Sequence, residues 1–271
     1  MTIELETPEI LEPVKRLSRD MAKAAITLTP DEVRFLVDTY YVQQEARKRA
    51  DNQVRALAET QEPHDVLKYV AVQSSTLEKQ VLRALNQFTI AHPVGIWLHS
   101  VKGIGPVISA GLLAHIDITR APTVGHIWRF AGLDPTSKWE KGCKRPWNAS
   151  LKRLCWIIGE SFVKVSGSED AYYGIAYAKR KVWELEQNEK LAYKDQAAAV
   201  LKAHPDHKQR AIYATGKLSP GHIHARAKRW ATKLFIAHLH DKMYREHYKT
   251  APPAPYPIAI LQHAHYLAPP E

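Results

Sequence analysis

The sequence predicts an all-α fold, because helix start signals, helical spacing of apolar residues and a proline break occur along it. At residues 29–32, Thr-Pro-Asp-Glu gives a capping hydroxyl, a proline and two acids, which is typical of a helix N-terminus. Apolar spacing predicts helix from there to about residue 59 and again over residues 66–88. Pro63 separates the two segments, since proline disfavours helix in the preceding residue. We expect an antiparallel helical pair that serves as a scaffold or an oligomerisation element.

Charge is distributed unevenly along the chain. Its 271 residues are 45% hydrophobic, enough for a proper core divided over two or three subdomains. Residues 1–90 hold 12 Lys or Arg and 14 Asp or Glu, a net charge of −2, whereas residues 91–271 hold 26 and 14, a net charge of +12. Such an excess suits a polyanionic partner, DNA or RNA. The expected regions are a coiled-coil-like helical scaffold at 1–92, a central helix-hairpin-helix domain at 93–166, a basic helical extension at 167–250 and a proline-rich extended tail at 251–271.

Cysteine content and hydropathy indicate the cellular compartment. The two cysteines, Cys143 and Cys155, form no Cys-x-x-Cys pair, which argues against a zinc knuckle and against a disulfide framework. The N-terminus has no basic region followed by an apolar run, and no apolar stretch approaches the length of a membrane span. We therefore expect a cytoplasmic protein without membrane association.

The most informative motif is the Gly-Ile-Gly-Pro sequence at residues 103–106, which lies between two apolar runs. Glycine permits unusual backbone angles and close approach to phosphate, and Pro106 suits the first turn of a helix. Unpaired amides at that helix start form an anion site, to which Lys102 adds a charge. The alternative is an ordinary turn between helices. The predicted nucleic-acid-binding residues of this turn are Lys102, Gly103, Ile104 and Gly105.

A basic cluster follows this motif, with tryptophans between the cations. Its members are Lys138, Lys141, Lys144, Arg145, Lys152 and Arg153, opposed only by Glu140. Trp139 and Trp147 lie among them, and aromatic rings stack on bases while cations neutralise phosphates. Taken singly, each tryptophan fits a loop anchor better. We predict that the cluster extends the nucleic-acid-binding surface.

The C-terminal part offers weaker signals. Tyrosines beside a basic triplet at residues 172–181 fit a nucleic-acid groove, and equally fit a helix that docks its aromatic side on the core. A charged helix is expected from residue 182 toward residue 204, and another over residues 223–248. The proline-rich tail from residue 251 is expected to be an extended strap.

Three His-x-His pairs raise the question of a metal site: His222 with His224, His238 with His240, and His263 with His265. Residues two apart on a helix project about 200° apart, so a single helical pair does not chelate a metal. We therefore expect hydrogen-bonded or surface histidines and no metal site.

The order of motifs resembles the C-terminal transposase domain of the one-ten insertion-sequence family, whose full-length members are bridge-RNA-guided recombinases. The resemblance covers roughly residues 95–165. It rests on GIGP at 103–106, AGLLA at 110–114, FAGLDP at 130–135 and GCKR at 142–145. The helical segment upstream is similar to the coiled coil that precedes this domain in the family. The resemblance implies DNA binding.

Two departures from the family bear on catalysis. Members carry an N-terminal RNase H-like domain with four metal-binding acids, and residues 1–92 offer no strand of the kind it needs. The family also places a nucleophilic serine just before a glycine-rich turn and a lysine, whereas Glu140 and Lys141 precede that turn here. Ser137 and Cys143 are the remaining candidate nucleophiles, and nothing near them in sequence clearly activates either. No cofactor is expected, apart from a divalent metal if the chain is catalytic together with a partner.

These observations lead to three functional hypotheses. The first is a DNA-binding protein of the insertion-sequence transposase class, which contacts the nucleic-acid backbone and lacks strand-transfer chemistry of its own. The second is a reduced transposase or recombinase that uses Ser137 or Cys143 with a partner. The third is a protein that organises a nucleoprotein assembly as a homo-oligomer through the N-terminal helices.

Overall fold

The computed structural model describes residues 16–253 and 267–270. These residues form helices, turns and irregular segments without any strand, which confirms the all-α prediction. Their helices are α1 (Arg19–Ala24), α2 (Pro30–Ala58), α3 (Asp65–Ala91), α4 (Gly95–Ser100), α5 (Pro106–His115), α6 (Val124–Phe130), α7 (Ala149–Lys164), α8 (Tyr172–Glu189), α9 (Lys194–Ala203), α10 (Arg210–Ala214) and α11 (Pro220–Tyr248). Two compact units divide the chain, at residues 1–92 and 93–271.

The first unit is built on the expected helical pair, α2 and α3. Thr29 and Glu32 cap α2 reciprocally, with each side chain bonded to the other residue's backbone amide. The short connection returns α3 along α2, and Arg47 on α2 donates to Glu78 on α3 over 2.5 Å. Arg47 also pairs with Asp51 one turn further along α2. A partly buried ionic contact therefore joins the two helices.

The second unit has an aromatic centre, to which four helices contribute. Phe162 of α7 stacks on Tyr173 of α8 with ring centroids 5.1 Å apart. Phe235 of α11 meets both rings edge-on, at 5.5 and 5.2 Å. Trp97 of α4 stacks on the same phenylalanine at 6.0 Å. Since Phe162, Tyr173 and Phe235 are fully buried, this cluster fixes α4, α7, α8 and α11 relative to one another.

The prediction of a single charged helix from residue 182 toward residue 204 is wrong. Helix α8 ends at Glu189 and α9 begins at Lys194, because Leu191 adopts a left-handed conformation with φ of 59°. The Leu191 amide donates to the Asn188 carbonyl, and the next amide reaches back to Gln187, which is a Schellman ending. Glycine usually occupies that left-handed position. A leucine there gave no signal in the sequence.

The end of the C-terminal tail contacts the second unit through backbone carbonyls. Residues 254–266 and 271 of the expected extended tail lie outside the described residues. Three helices donate to the last described ones. His238 Nε2 donates to the Leu267 carbonyl (2.8 Å), Tyr172 Oη donates to the Ala268 carbonyl (3.0 Å) and Trp97 Nε1 donates to the Pro270 carbonyl (3.2 Å).

Candidate nucleic-acid interface

The turn between α4 and α5 is held from below by α7. Gly103 has φ of 95°, and a Cβ there would lie 3.0 Å from Ser161 Oγ of α7. The Ser161 hydroxyl donates to the Gly103 carbonyl over 2.5 Å. The side chain of Ile104 is buried, so it anchors the turn and does not face a ligand. Gly103 and Ile104 therefore shape the turn, while its outer surface comes from other residues.

Gly105, unlike Gly103, has an ordinary backbone conformation and open space around it. Its backbone is extended, with φ of −96° and ψ of 177°, and a Cβ built on it meets no atom within 4 Å. It is the N-cap of α5, where no side chain caps the helix and the first helical bond runs from the Ser109 amide. The amides of Val107 and Ile108 precede that bond and lack a helical partner. An open glycine beside unpaired amides gives a phosphate room to approach.

Lys102 lies on the exposed side of this turn. Its ammonium is 2.9 Å from the carboxylate of Asp170, which precedes α8. The contact with Lys102 is the main reason why the pKa of Asp170 lies below its usual value, and a hydrogen bond from Ser168 adds to the effect. Both partners are substantially exposed, so the ion pair is a weak one. A phosphate at the turn would compete with Asp170 for this lysine.

The segment after α6 begins with a tightly packed glycine. Gly132 follows α6 with φ of 64°, and its amide and the Leu133 amide close a Schellman ending on Arg129 and Trp128. A Cβ on Gly132 would lie 2.9 Å from both the Trp147 ring and the Lys152 side chain. This close packing brings the loop back onto the first turn of α7.

The predicted basic cluster lies on this loop and on the first turn of α7. Lys138, Lys141, Lys144, Arg145, Lys152 and Arg153 are all exposed. Both tryptophans among them also anchor the loop, as expected of each one singly: Trp139 Nε1 donates to the Cys143 carbonyl, and Trp147 packs on Gly132. The Lys152 ammonium lies 3.7 Å from the Trp147 ring centroid, and partial desolvation of this ammonium lowers the pKa of Lys152.

Helix α7 links the cluster to the turn. Lys152 and Arg153 lie in its first turn, and Ser161, which holds Gly103, lies nine residues further along. At 1.5 Å per residue the two parts are about 14 Å apart along the helix. Helix α7 therefore carries two residues of the basic cluster and also holds the turn through Ser161.

Cations accompany every tryptophan of the chain. All seven lie between residues 97 and 230, and each has a Lys or Arg charge within 6 Å of its ring. The pairs are Trp97 with Lys242, Trp128 with Lys233, Trp139 with Arg145, Trp147 with Lys152, Trp156 with Lys228, and both Trp183 and Trp230 with Arg180. Such contacts fix the orientation of the cations and keep flat rings beside them. In the sequence, two of these pairs, Trp139 with Arg145 and Trp147 with Lys152, are recognisable only as neighbours within one basic cluster.

Comparison with protein families identifies the region that contains the turn. Residues 97–140 match the model of the Transposase IS116/IS110/IS902 family. The matched segment contains the α4–α5 turn and ends at the beginning of the basic loop. The match confirms the resemblance to the C-terminal transposase domain inferred from the motifs, over α4, α5, α6 and the start of the basic loop. No curated protein and no solved structure matches the chain.

Of the candidate nucleophiles, Ser137 lies within the matched segment and Cys143 lies three residues beyond its end. Ser137 is half-buried in a turn that starts at Asp134, and Cys143 is exposed. Within the described part of the chain, neither side chain has a hydrogen-bond partner that would activate it. Cys155, in contrast, is buried in α7, and burial raises the pKa of its thiol to about 12. That value makes Cys155 an inert packing residue.

The histidine pairs of α11 serve as hydrogen-bonding and packing groups. His238 Nδ1 accepts from Tyr173 Oη (2.8 Å), and His240 Nε2 donates to the Ala121 carbonyl (2.8 Å). His224 contacts Tyr177 Oη at 2.7 Å, and His222 contacts Gln196 at 3.3 Å. His263 and His265 lie outside the described residues. Over residues 16–253 and 267–270, no three His, Cys, Asp or Glu side chains are grouped to hold a metal ion, and no helix has the length and apolarity needed to cross a membrane.

Several residues of this region gave no signal in the sequence. Ser161 supports the turn from 58 residues away, and Asp170 pairs with Lys102 from 68 residues away. Trp156 is 60% exposed on α7, and Lys228 of α11 lies over its ring while pairing with Glu160. The one sequence feature that could have pointed to Trp156 is its position four residues after Lys152, on the same predicted helix as that member of the basic cluster.

Proposed function

We propose that this protein binds DNA through the α4–α5 turn and the basic cluster, in a role related to insertion-sequence transposition. The observation that carries the proposal is the open helix start at Gly105, within the segment that matches a transposase family. Unpaired amides, an exposed glycine and a nearby lysine provide a phosphate site. The exposed cations of the basic cluster extend this contact along the backbone of the nucleic acid.

The proposal does not include strand transfer by this chain alone. Ser137 and Cys143 are its candidate nucleophiles, and no described group activates them. The alternative, a reduced transposase that acts with a partner, requires one of these two side chains to attack a phosphodiester. Magnesium-dependent cleavage or joining that disappears in Ser137→Ala or Cys143→Ala would favour that alternative.

Substitution of Gly105 tests the phosphate site. The backbone angles of Gly105 are allowed for valine, and the side chain of Gly105→Val would enter open space. The variant should therefore fold with an unchanged melting temperature. The valine would cover the unpaired amides, and we expect duplex DNA affinity to fall at least about tenfold, the effect of about 1.4 kcal/mol. Fluorescence anisotropy across a salt series, with the full chain, measures this.

Gly221→Val is the matched control, because Gly221 also lies at a helix start with open space around it. It should leave duplex affinity unchanged. Lys102→Gln should weaken binding and reduce the salt dependence by about one counterion. Duplex affinity that survives in folded Gly105→Val protein would show that the turn is not the binding site.

We further propose that the first unit forms a homo-oligomer. The exposed fractions of Phe35 and Val42, one heptad apart on α2, are 71% and 64%, and Val66 and Val70 of α3 are also exposed. Apolar side chains spaced in this way suit a second helical layer. Light scattering should therefore give a mass above that of one chain, reduced in Phe35→Ser/Val42→Ser protein. A monomer at all concentrations, with and without DNA, would contradict this.

A further inference from the structure

A groove of about 360 Å³ runs along α8, outside the α4–α5 turn and the basic cluster. Its lining includes Ile175, Lys179, Arg180 and Trp183 of α8, Trp230 of α11 and Leu267 of the tail. On α8, Ile175, Lys179 and Trp183 follow one another at intervals of four and Arg180 is three residues before Trp183, so these side chains lie on one face of that helix. The volume is within the range of pockets that bind small ligands or parts of larger ones.

Of the three tyrosines that drew attention to this helix, Tyr172 lines the groove and the other two do not. Tyr173 and Tyr177 are buried, and they point into the core and toward His224. Of the two readings of residues 172–181, docking on the core is correct for these two side chains. The basic residues on the same helix remain at the surface, together with the half-exposed Trp183.

A buried carboxylate fixes the arginine of the groove. Glu184 is almost fully buried, and it accepts hydrogen bonds from Arg180 Nε (2.9 Å) and Arg226 Nε (2.8 Å). Tyr193 donates to it as well. Burial alone would raise the pKa of Glu184, but these hydrogen bonds outweigh it and hold the pKa below its usual value. The carboxylate stays charged and therefore holds both guanidinium groups in place.

Arg180, held in this way, lies close to two indole rings. Its Cζ atom is 4.1 Å from the Trp183 ring centroid and 5.2 Å from that of Trp230. Lys179 is exposed at the same groove, and Lys181 and Arg229 are nearby in sequence on the two helices. Glu184 already pairs with two arginines, so the remaining cations give the groove a net positive charge. It combines flat aromatic surface, a fixed guanidinium and positive charge.

We infer that this groove binds an unpaired nucleobase together with its phosphate, as a second nucleic-acid site separate from the α4–α5 turn. Aromatic rings and guanidinium planes stack on exposed bases, while cations neutralise the adjoining phosphate. Bases inside a duplex are already stacked and do not reach such a groove, so the ligand is a single-stranded segment of DNA or RNA.

The test compares single strands with a duplex. Labelled oligodeoxyadenylate, oligoriboadenylate and a blunt DNA duplex of equal length are titrated with the full chain. Trp183→Ala should weaken binding of the single strands about five- to hundredfold, the range found for loss of one base–aromatic stack. Duplex affinity should stay within about twofold. A loss confined to the DNA or the RNA strand would assign the site to that nucleic acid.

Leu185→Ala is the matched control, because Leu185 lies on the same helix with nearly the same exposed fraction as Trp183, 42% against 43%, and does not line the groove. Lys179→Gln changes only an exposed side chain, so it should fold, and it should lower the salt dependence of single-strand binding by about 0.7. Unchanged single-strand affinity in both groove variants, or equal losses in Trp183→Ala and Leu185→Ala, would overturn the inference.

These outcomes are independent of the proposed duplex site. Gly105→Val should reduce duplex binding and leave the effect of Trp183→Ala on single strands in place. If the protein failed to bind duplex DNA while single-strand binding still required Trp183, the proposed function would be wrong and the groove would stand. If Gly105→Val reduced duplex binding while single-strand binding did not depend on Trp183, the inference about the groove would be wrong and the proposed site at the turn would stand.

Discussion

Helices α2 and α11 begin alike and end up in very different surroundings. Each is 29 residues long, has a hydroxyl N-cap and carries proline at its first position. Two residues of α2 are buried, whereas ten residues of α11 are. Cap and proline therefore determine where a helix starts, and the elements packed against it determine how much of it forms a core.

The spacing of residues on α11 explains its burial. Ile223, Ala227, Ala231, Phe235 and Leu239 follow one another at intervals of four and are all fully buried. A row with this spacing forms a ridge along a helix, and the two alanines let neighbouring helices approach closely. On α7, a Cβ on Gly159 would lie 2.6 Å from Lys228 of α11, so that contact depends on glycine. The buried residues of α2, in contrast, are only Val33 and Val37.

The largest expected difference between the two helices comes from core truncation. Phe235→Ala on α11 removes a ring that contacts three other aromatic rings, so it should lower the unfolding free energy by about 3–5 kcal/mol. Val37→Ala on α2 removes two methyl groups and should cost about 1–2 kcal/mol. Chemical denaturation of both variants measures the difference. Equal losses would mean that the aromatic cluster around Phe235 contributes no more to stability than the contact of Val37 does.

The sequence predicted those parts of the fold that depend on local signals. Thr29 and Pro30 gave the start of α2, and Pro63 gave the break before α3, both as found. The end of α8 was missed because a leucine takes a position that glycine usually marks. That end is also fixed by the Asn188 side chain, which bonds both the amide and the carbonyl of Leu218, 30 residues away. Contacts at such separations leave no periodic pattern.

The candidate site was predictable to a similar extent. The glycine motif indicated the turn, yet it did not distinguish the two glycines, because their difference lies in Ser161 of another helix. Four glycine-containing motifs in order were enough to indicate the resemblance to the family whose model matches residues 97–140. The groove on α8 was not predicted as such, since it depends on a buried Glu184 and on Trp230, which comes from a distant part of the chain.

Acidification should affect the two helices differently, with a smaller effect on stability than core truncation has. Helix α11 carries buried histidines, whereas α2 has no histidine. Burial lowers the pKa of His238 and of His240 below the usual 6.5, and it lowers that of His222 and His224 in the same direction. The unfolded chain therefore binds more protons than the folded one once the pH falls below about 6.5. The stability due to neutral histidine is present above that pH and is lost as the pH falls. We expect the melting temperature of the second unit to drop between about pH 7.5 and about pH 5.

His238→Gln isolates one part of this dependence. Neutral His238 accepts from Tyr173 at Nδ1 and donates to the tail at Nε2, so a proton on Nδ1 removes the acceptor that Tyr173 uses. Glutamine does not titrate, and the variant should melt lower at neutral pH but lose less on acidification than the unmodified protein. His204→Gln, at an exposed position after α9, serves as the control and should keep the full dependence. If His238→Gln kept it too, the acid sensitivity would come from other groups, and the buried histidine would not be what separates α11 from α2 in its response to pH.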